Sequence, residues 1–292
     1  MAAMVLALPF WTGFSGWISS REHAGYRVSY ACSMFIIEDT DLIRTITINR
    51  PERKNAIPPD GWNRLRDALL DFESSHNRVL IITGAGGAFC SGADLSPDPE
   101  DLAALQTGAG RYERMRNVGL AAETLHRITK PTIAAVDGVA AGAGLSLALG
   151  CDVVVATTLA RFSAVFVRRG LVVDFGGTWL LPRLVGLQHA KELALSGRTV
   201  SAEEALQMGM VARLVPPGEV VTGARAMAEG FLEGGPLAQA MIKTGMNQSW
   251  EMSFGEALTY EANAQAVCLG SEDAAEGISA FLQRRPPSFK GR

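Results

Sequence analysis

The hydrophobic positions of this chain change period several times, and each change marks an element. Residues 35–38 and 42–49 read as two strands joined by a turn at Asp39, Thr40 and Asp41. In the second, Ile43, Thr45 and Thr47 alternate with Arg44, Ile46 and Ile48, the pattern of a half-buried strand. Pro51 ends it. Pro58, Pro59 and Asp60 announce a helix, with Trp62, Leu65, Leu69, Leu70 and Phe72 at helical spacing. A short apolar strand at 79–83 runs into a glycine loop at 84–87. Met115, Val118, Ala122 and Leu125 predict a helix over 111–128, which Pro131 stops before a strand at 132–136. Another buried strand is expected at 153–156.

The run 138–151 is apolar but too short for a bilayer, which needs about twenty residues. Its four glycines, Gly138, Gly142, Gly144 and Gly150, suit close backbone approach, so it reads as buried core beside a site. Ser201 and Glu204 have capping-box spacing and open a helix to about 208. A last short strand is expected at 211–215. From Val220 onward the pattern is helical, broken at Gly234-Gly235-Pro236, at Ser253 to Gly255 and at Gly270-Ser271. Strands interleaved with helices predict an α/β core with crossovers. The expected division is an extension at 1–33, a core at 34–219 and a helical region at 220–292.

Composition narrows the function classes. The chain has 292 residues, 48% hydrophobic and 20% charged, with a formal charge of −3. That suits a soluble globular protein with a substantial core. Scattered Lys and Arg give no basic field for nucleic acid or an anionic membrane. Cys32, Cys90, Cys151 and Cys268 form no C-x-x-C pair and share no metal-ligand spacing with the histidines. They read as free thiols in a reducing cytoplasm. Residues 1–17 are apolar but lack the basic start of a secretory signal, so a poorly ordered extension is expected, with Met34 a plausible true start.

Two glycine-rich segments, at 92–94 and 142–144, each follow an apolar stretch and could each aim a main-chain N–H at one point. Two such donors can hold the oxyanion of an enolised thioester. No Rossmann fingerprint, P-loop or H-E-x-x-H motif is present. Gly144-Leu-Ser146 only approaches a nucleophile elbow, and Ser146 reads as a small filler of core. Asp174, flanked by Val173 and Phe175, could cap a helix or be desolvated into a general base, and residue type leaves both open. Asp94 has the same two readings, with the cap preferred because it follows a candidate donor directly.

The motifs INRPERKNAI at 48–57, GAFCSGADL at 87–95 and KPTIAAVDG at 130–138 resemble the enoyl-CoA hydratase/isomerase (crotonase) superfamily. GAG at 142–144 leading to Cys151-Asp152, GRTVSAEEA at 197–205 with GMV at 209–211, and 277–285 extend the resemblance in order from about Met34 to the C-terminus. It implies a crotonase-like α/β spiral of ββα units with a C-terminal helical region that assembles trimers or dimers of trimers. It further implies an acyl-CoA thioester substrate, with coenzyme A part of the substrate and no separate cofactor or metal. The thioester oxygen would lie between the N–H groups of Ala93 and Ala143. Coenzyme A and substrate would be bound near Arg53, Lys54, Ala56, Ala88, Asp94, Leu95, Ser146 and Phe166. Phe281 and Arg284, from this or a neighbouring subunit, would line the nucleotide. The segment 96–116, with Leu102, Leu105 and Met115, would shape the acyl pocket.

Two departures carry information. Hydratases of this family activate water with two glutamates, which align here with Ser146 and Phe166. The string RGLVVDFGGTWLLPR at 169–183 instead looks most like the phenylacetate-pathway ring-epoxide isomerase group, and implies Asp174 as base. The expected activity is isomerisation of an enoyl-CoA or a ring-epoxide acyl-CoA. The alternatives are a hydratase, an aryl-CoA dehalogenase or hydrolase with Asp174 as nucleophile, and a non-catalytic acyl-CoA-binding subunit.

Overall fold

The computed structural model describes residues 27–28, 34–96 and 99–292, without the side chains of 27, 28 and 100–102. The expected extension at 1–33 lies outside these residues apart from Arg27–Val28 (β1), which pairs antiparallel with Phe35–Thr40 (β2). Phe35–Thr40 returns as Ile43–Ile48 (β3) in a tight antiparallel hairpin. A 3-10 turn at Pro51–Arg53 leads to Gly61–Ser74 (α1) and then Val79–Gly84 (β4). Pro99–Leu105 (α2) and Gly108–Arg127 (α3) precede Thr132–Val136 (β5), Val139–Ala141 (β6) and Ala143–Gly150 (α4). Next come Val153–Thr157 (β7), Arg161–Ser163 (β8), a 3-10 turn at Val165–Arg169 and Gly177–Val185 (α5). Leu187–Ser196 (α6), Thr199–Ser201 (β9), Ala202–Gln207 (α7) and Arg213–Val215 (β10) finish the strands. Four helices close the chain: Val220–Leu232 (α8), Pro236–Gln248 (α9), Phe254–Leu269 (α10) and Glu272–Gln283 (α11).

A seven-stranded sheet has the order β1-β2-β3-β4-β5-β7-β10, parallel from β3 onward. A second sheet has the order β6-β8-β9. In β5-β6-α4 and β7-β8-α5 the first strand joins the large sheet, the second the small one, and a helix follows. This is the spiral of ββα units that the motifs imply.

The large sheet is covered on both faces, which corrects the half-buried reading of β3. Ile46, Ile48, Leu80, Ile82, Ala134 and Val136 pack with Trp62, Leu65, Leu69, Phe72 and Leu125 of α1 and α3. Ile43, Val79, Ile81, Ile133, Ala135 and Val155 pack with Val220, Ala224 and Ala228 of α8. A parallel sheet sandwiched this way needs apolar side chains at both parities. Arg44 survives within it, 5% exposed, because its guanidinium donates to Asp39 Oδ1 at 2.7 Å and Oδ2 at 2.9 Å. Helix α8 packs on the sheet, whereas the main contacts of α10 are with its helical neighbours α9 and α11.

Helix α5 and strands β6, β8 and β9 were not legible as separate elements, being short or lacking a clean period, and of α6 only a helical start at 188–191 was. Ser201 Oγ accepts the N–H of Glu204 at 3.2 Å, while the Glu204 carboxylate pairs with Arg198. Among the described residues no helix is long and apolar enough to cross a membrane.

One buried side chain ties the loops near the site together. Asn55 is fully buried and lies in the left-handed region at φ 58°. Its Oδ1 accepts from Arg50 N–H at 2.8 Å, and its Nδ2 donates to Ala85 O at 2.8 Å and Ala88 O at 2.7 Å. Asn55→Ala strands three main-chain partners, of which Ala88 O is buried and the other two are part-buried, and lowers stability by about 3 kcal/mol in urea titration. A loss below about 1 kcal/mol would show that the loops hold together without it.

Candidate active site

Two main-chain donors, Ala93 and Ala143, line one cavity where the loop after β4 touches the start of α4. Residues 56–57 and 92–94 form a short parallel bridge: Ile57 N–H donates to Gly92 O and Asp94 N–H to Ile57 O, each at 2.8 Å. Successive N–H groups in extended chain alternate sides. The Ala93 N–H therefore faces away from Ile57, and it has no hydrogen-bond partner among the described residues. Gly92 makes this possible. Its φ is +102°, and a Cβ there would stand 2.9 Å from Ala141 O and 3.2 Å from Ala143 N.

Ala143 is the first residue of α4, preceded by Gly142 at φ 56°. A first-turn N–H has no partner within its own helix and carries the positive end of the helix dipole. Ala143 itself is absent from the residues with positive φ, so its methyl group is compatible with the helical start. Gly144 sets how closely α4 approaches the loop, since a Cβ there would lie 2.2 Å from Cys90 O. The Cys90 thiol is fully buried and its pKa is pushed up to about 12 by desolvation, so it is a packing group rather than a nucleophile.

Asp174 comes from the segment between the Val165–Arg169 turn and α5. It caps no helix: α5 starts after Gly176, which makes no side-chain cap. Instead Asp174 Oδ1 is buried without a hydrogen-bond partner. Burial is the first cause of its shift, raising the carboxyl pKa to about 6, while its own N–H pulls the other way. The residue after it, Phe175, holds this position. Phe175 adopts φ 50°, is 3% exposed and packs its ring against Trp62 at 5.3 Å. A left-handed bulky residue is strained. Burial of its ring in the core offsets that strain and fixes the carboxylate next to it.

These groups line one cavity of about 250 Å³ with Arg53, Ala56, Ser91, Gly92, Asp94, Leu95, Gly142, Val165, Phe166, Arg169 and Leu171. Ala93, Ala143 and Asp174 are thus brought together, as are the expected Arg53, Ala56, Asp94, Leu95 and Phe166. Lys54, Ala88, Ser146, Phe281 and Arg284 do not line it. Ser146 is 2% exposed and packs under Gly177, where a Cβ would meet its Oγ at 2.5 Å. Ala88 serves as an acceptor for Asn55, and the Lys54 carbonyl accepts from Ser91 N–H at 2.9 Å. Phe281 is 82% exposed on α11, and Arg284 is the left-handed cap of that helix.

The expected acyl-pocket residues differ as well. Leu105 lines a separate hollow with Pro59 and Asn63, and Met115 is 46% exposed. The side chain of Leu102 lies outside the described residues. Asp94 caps no helix, a second correction. Its Oδ1 accepts from Ser96 N–H at 3.0 Å and its Oδ2 from Arg50 Nη1 at 3.0 Å, so it pins the donor loop. Val165, Arg169 and Leu171 were missed as lining residues, because nothing in their spacing marks them as facing a cavity.

A larger cavity of about 480 Å³ lies between α5 and α9. Its charged groups are largely engaged: Lys243 pairs with Asp152 at 2.8 Å, and Arg183 lies 3.9 Å above the Trp179 ring. Arg183 Nε is a buried unpaired donor on a residue lining this larger cavity, but among the described residues the unpaired carboxylate Asp174 and the free Ala93 and Ala143 N–H groups belong to the smaller one. Ala93 and Ala143, whose N–H groups have no partner among the described residues, line the same cavity as a carboxylate whose pKa burial raises to about 6, a set of groups able to take part in proton removal next to an activated carbonyl.

Residues 38–292 match the family model described as enoyl-CoA hydratase/isomerase. The chain is 37% identical over 252 residues to 1,2-epoxyphenylacetyl-CoA isomerase of Escherichia coli, covering 86% of this chain and 95% of that protein. It is 33% identical over 264 residues to short-chain-enoyl-CoA hydratase of Clostridium acetobutylicum, covering 88% and 98%. The crystal structure of an enoyl-CoA hydratase from Polaromonas superposes with a TM-score of 0.83 at 31% identity, covering 88% of this chain and 99% of that one.

Proposed function

This chain belongs to the enoyl-CoA hydratase/isomerase family, and we propose that within it the chain is an isomerase acting on an enoyl-CoA or ring-epoxide acyl-CoA. The observation that carries this reading is the isolated carboxylate: Asp174, unpartnered and near pKa 6, shares a cavity with the two free N–H groups. The thioester oxygen accepts from Ala93 and Ala143. Asp174 takes a proton from the acyl chain, and the C–H electron pair moves into the conjugated enolate whose oxygen those donors hold. Protonated Asp174 then returns the proton at another carbon, and the double bond has moved. One carboxylate suffices, because it is regenerated in each cycle.

Water addition makes a different demand, a base for the water and an acid for the carbon together. The positions aligned with the hydratase glutamates hold Ser146, which stays out of the cavity, and Phe166, which presents a ring to it. Neither supplies a proton relay. A direct test incubates the enzyme with 3-enoyl-CoA and 2-enoyl-CoA and follows products by mass and by absorbance at the enoyl band. Double-bond migration without mass change supports the reading. A gain of one water on 2-enoyl-CoA, with no migration, replaces it with hydration.

The assembly implied by the family resemblance, a trimer or a dimer of trimers, has support in the C-terminal helices. Trp250, Phe254, Phe281 and Leu282 are 67–82% exposed there, apolar side chains that a subunit interface would cover.

The pH dependence follows from Asp174. Its active form is the carboxylate, so kcat/KM rises with pH through about 6 and then levels. A profile flat from pH 5 to 8 would place the base elsewhere.

A further inference from the structure

Resting on the reading of Asp174 as the base, we infer that the contact between Ser146 and Gly177 sets where the Asp174 carboxylate stands relative to the Ala143 N–H, and that Ser146 is a positioning residue acting through its small volume. The donor and the base hang on two different helices. Ala143 opens α4, and Ser146 follows it by about one turn on the same helix. Gly177 opens α5, and its N–H donates to Asp174 O at 2.9 Å, so the turn carrying the carboxylate is fastened to the start of α5. The two helices touch where Ser146 meets Gly177. A Cβ on Gly177 would stand 2.5 Å from Ser146 Oγ, 3.4 Å from Ser146 Cβ and 2.6 Å from Val173 Cγ1. A second contact lies further along α4, where a Cβ on Gly150 would meet the Phe175 ring and Leu180 Cδ1, each at 3.8 Å. Asp174 therefore sits on a turn held at two points against the helix that carries the donor.

Both residues are small for reasons of space. Gly177 is buried and is absent from the residues with positive φ, so its backbone does not require glycine. Alanine is the better helix former there, and only the neighbouring atoms oppose it. Ser146 is 2% exposed and does not line the cavity, and its hydroxyl makes no hydrogen bond among the described residues. What it contributes is a lack of bulk. A larger side chain at 146 drives the 173–177 turn off α4, which moves the carboxylate away from the donors and lets water reach it. The position aligned with a hydratase glutamate is thus one whose enlargement displaces the base. Burial is what raises the Asp174 pKa, and no charged side chain is among the causes, although Arg53, Asp94 and Arg169 line the same cavity. The state of that carboxyl therefore reports whether the joint is closed.

The test enlarges each side of the joint in the full-length protein. Ser146→Leu and Gly177→Ala each lower kcat for double-bond migration about 100-fold, the cost of a misplacement of about 1 Å, with KM nearly unchanged. In both, the pH midpoint of kcat/KM falls from about 6 towards the ordinary 3.8, which a loss of stability alone does not produce. Ser146→Glu loses migration as Ser146→Leu does. Adding Ser146→Ala to Gly177→Ala removes the nearest obstacle and recovers much of the lost turnover. A Ser146→Leu or Ser146→Glu variant with wild-type turnover overturns the inference, as does a Ser146→Leu midpoint that stays near 6 or a Gly177→Ala variant that Ser146→Ala fails to rescue. A readout without chemistry separates this joint from the identity of the base. Asp174→Asn raises stability in urea at pH 7 in the wild-type background, and raises it less in the Ser146→Leu background, where the carboxyl is already wet. Equal gains in the two backgrounds sink the joint even if migration is confirmed. Unequal gains beside a fully active Asp174→Asn variant sink the base reading alone.

Discussion

An Asp174→Asn variant loses isomerisation by about 100- to 10,000-fold, the range for removing a positioned general base. Its affinity for saturated acyl-CoA stays near that of the wild type, because the amide keeps the shape of the carboxylate and the N–H donors are untouched. The same substitution carries a stability signature that a bystander aspartate would not. The folded carboxyl pKa is raised from 3.8 to about 6, so the fold favours the protonated form. That contribution is fully present below about pH 4 and is lost as pH rises through about 6. Asparagine never ionises. The variant therefore matches the wild type in stability near pH 4 and exceeds it at pH 7, as read by urea unfolding at the two pH values. An activity loss without this crossover would mean that the carboxylate is not desolvated in solution. A crossover with full turnover would mean that it is desolvated but is not the base.

Gly92→Ala lowers kcat by about 100- to 1,000-fold, the loss expected when one oxyanion donor is displaced. A methyl group at this position stands 2.9 Å from the Ala141 carbonyl and 3.2 Å from the Ala143 nitrogen, and the backbone sits at φ +102°. Both obstacles are main-chain atoms, so no rotamer change relieves them. Relief comes only if the 92–94 loop and the start of α4 move apart, which pulls the Ala93 and Ala143 N–H groups away from a common point. Strain alone is controlled by Gly218→Ala, at φ +82° with no atom within 4 Å of the added carbon and no part in the cavity. That variant loses about 1 kcal/mol of stability and keeps its turnover. Equal turnover losses in the two variants would show that general destabilisation, rather than donor geometry, is being measured.

Much of this was legible along the chain because it rests on local rules. Strand β5 was bounded by Pro131 and an unbroken apolar run, and it spans 132–136 as expected. The breaks at Gly234 to Pro236, Ser253 and Gly270-Ser271 separate α8, α9, α10 and α11 where the glycine, proline and capping signals stand. Elements without a local signature escaped. Strands β6, β8 and β9 have three residues each, and their pairing is set by partners far along the chain. The half-buried reading of β3 failed for a related reason: alternation cannot show that α8, more than 170 residues later, covers the second face.

The sequence by itself determined the family, the order of the longer elements and the residue types available for chemistry, because glycine, proline and carboxylate act through local backbone and side-chain properties. It left Asp174 divided between cap and base, and Asp94 leaning to a cap that does not exist. Only the tertiary structure removed the cap reading from both, because a carboxylate's role depends on what surrounds it. Arg50 and the Ser96 N–H occupy Asp94, whereas nothing meets Asp174 Oδ1. Solvation and hydrogen-bond partners are properties of the folded neighbourhood, brought in from Arg50 to Asp94 and from Trp62 to the Phe175 ring beside Asp174 across long stretches of chain, and no spacing within a single segment encodes them.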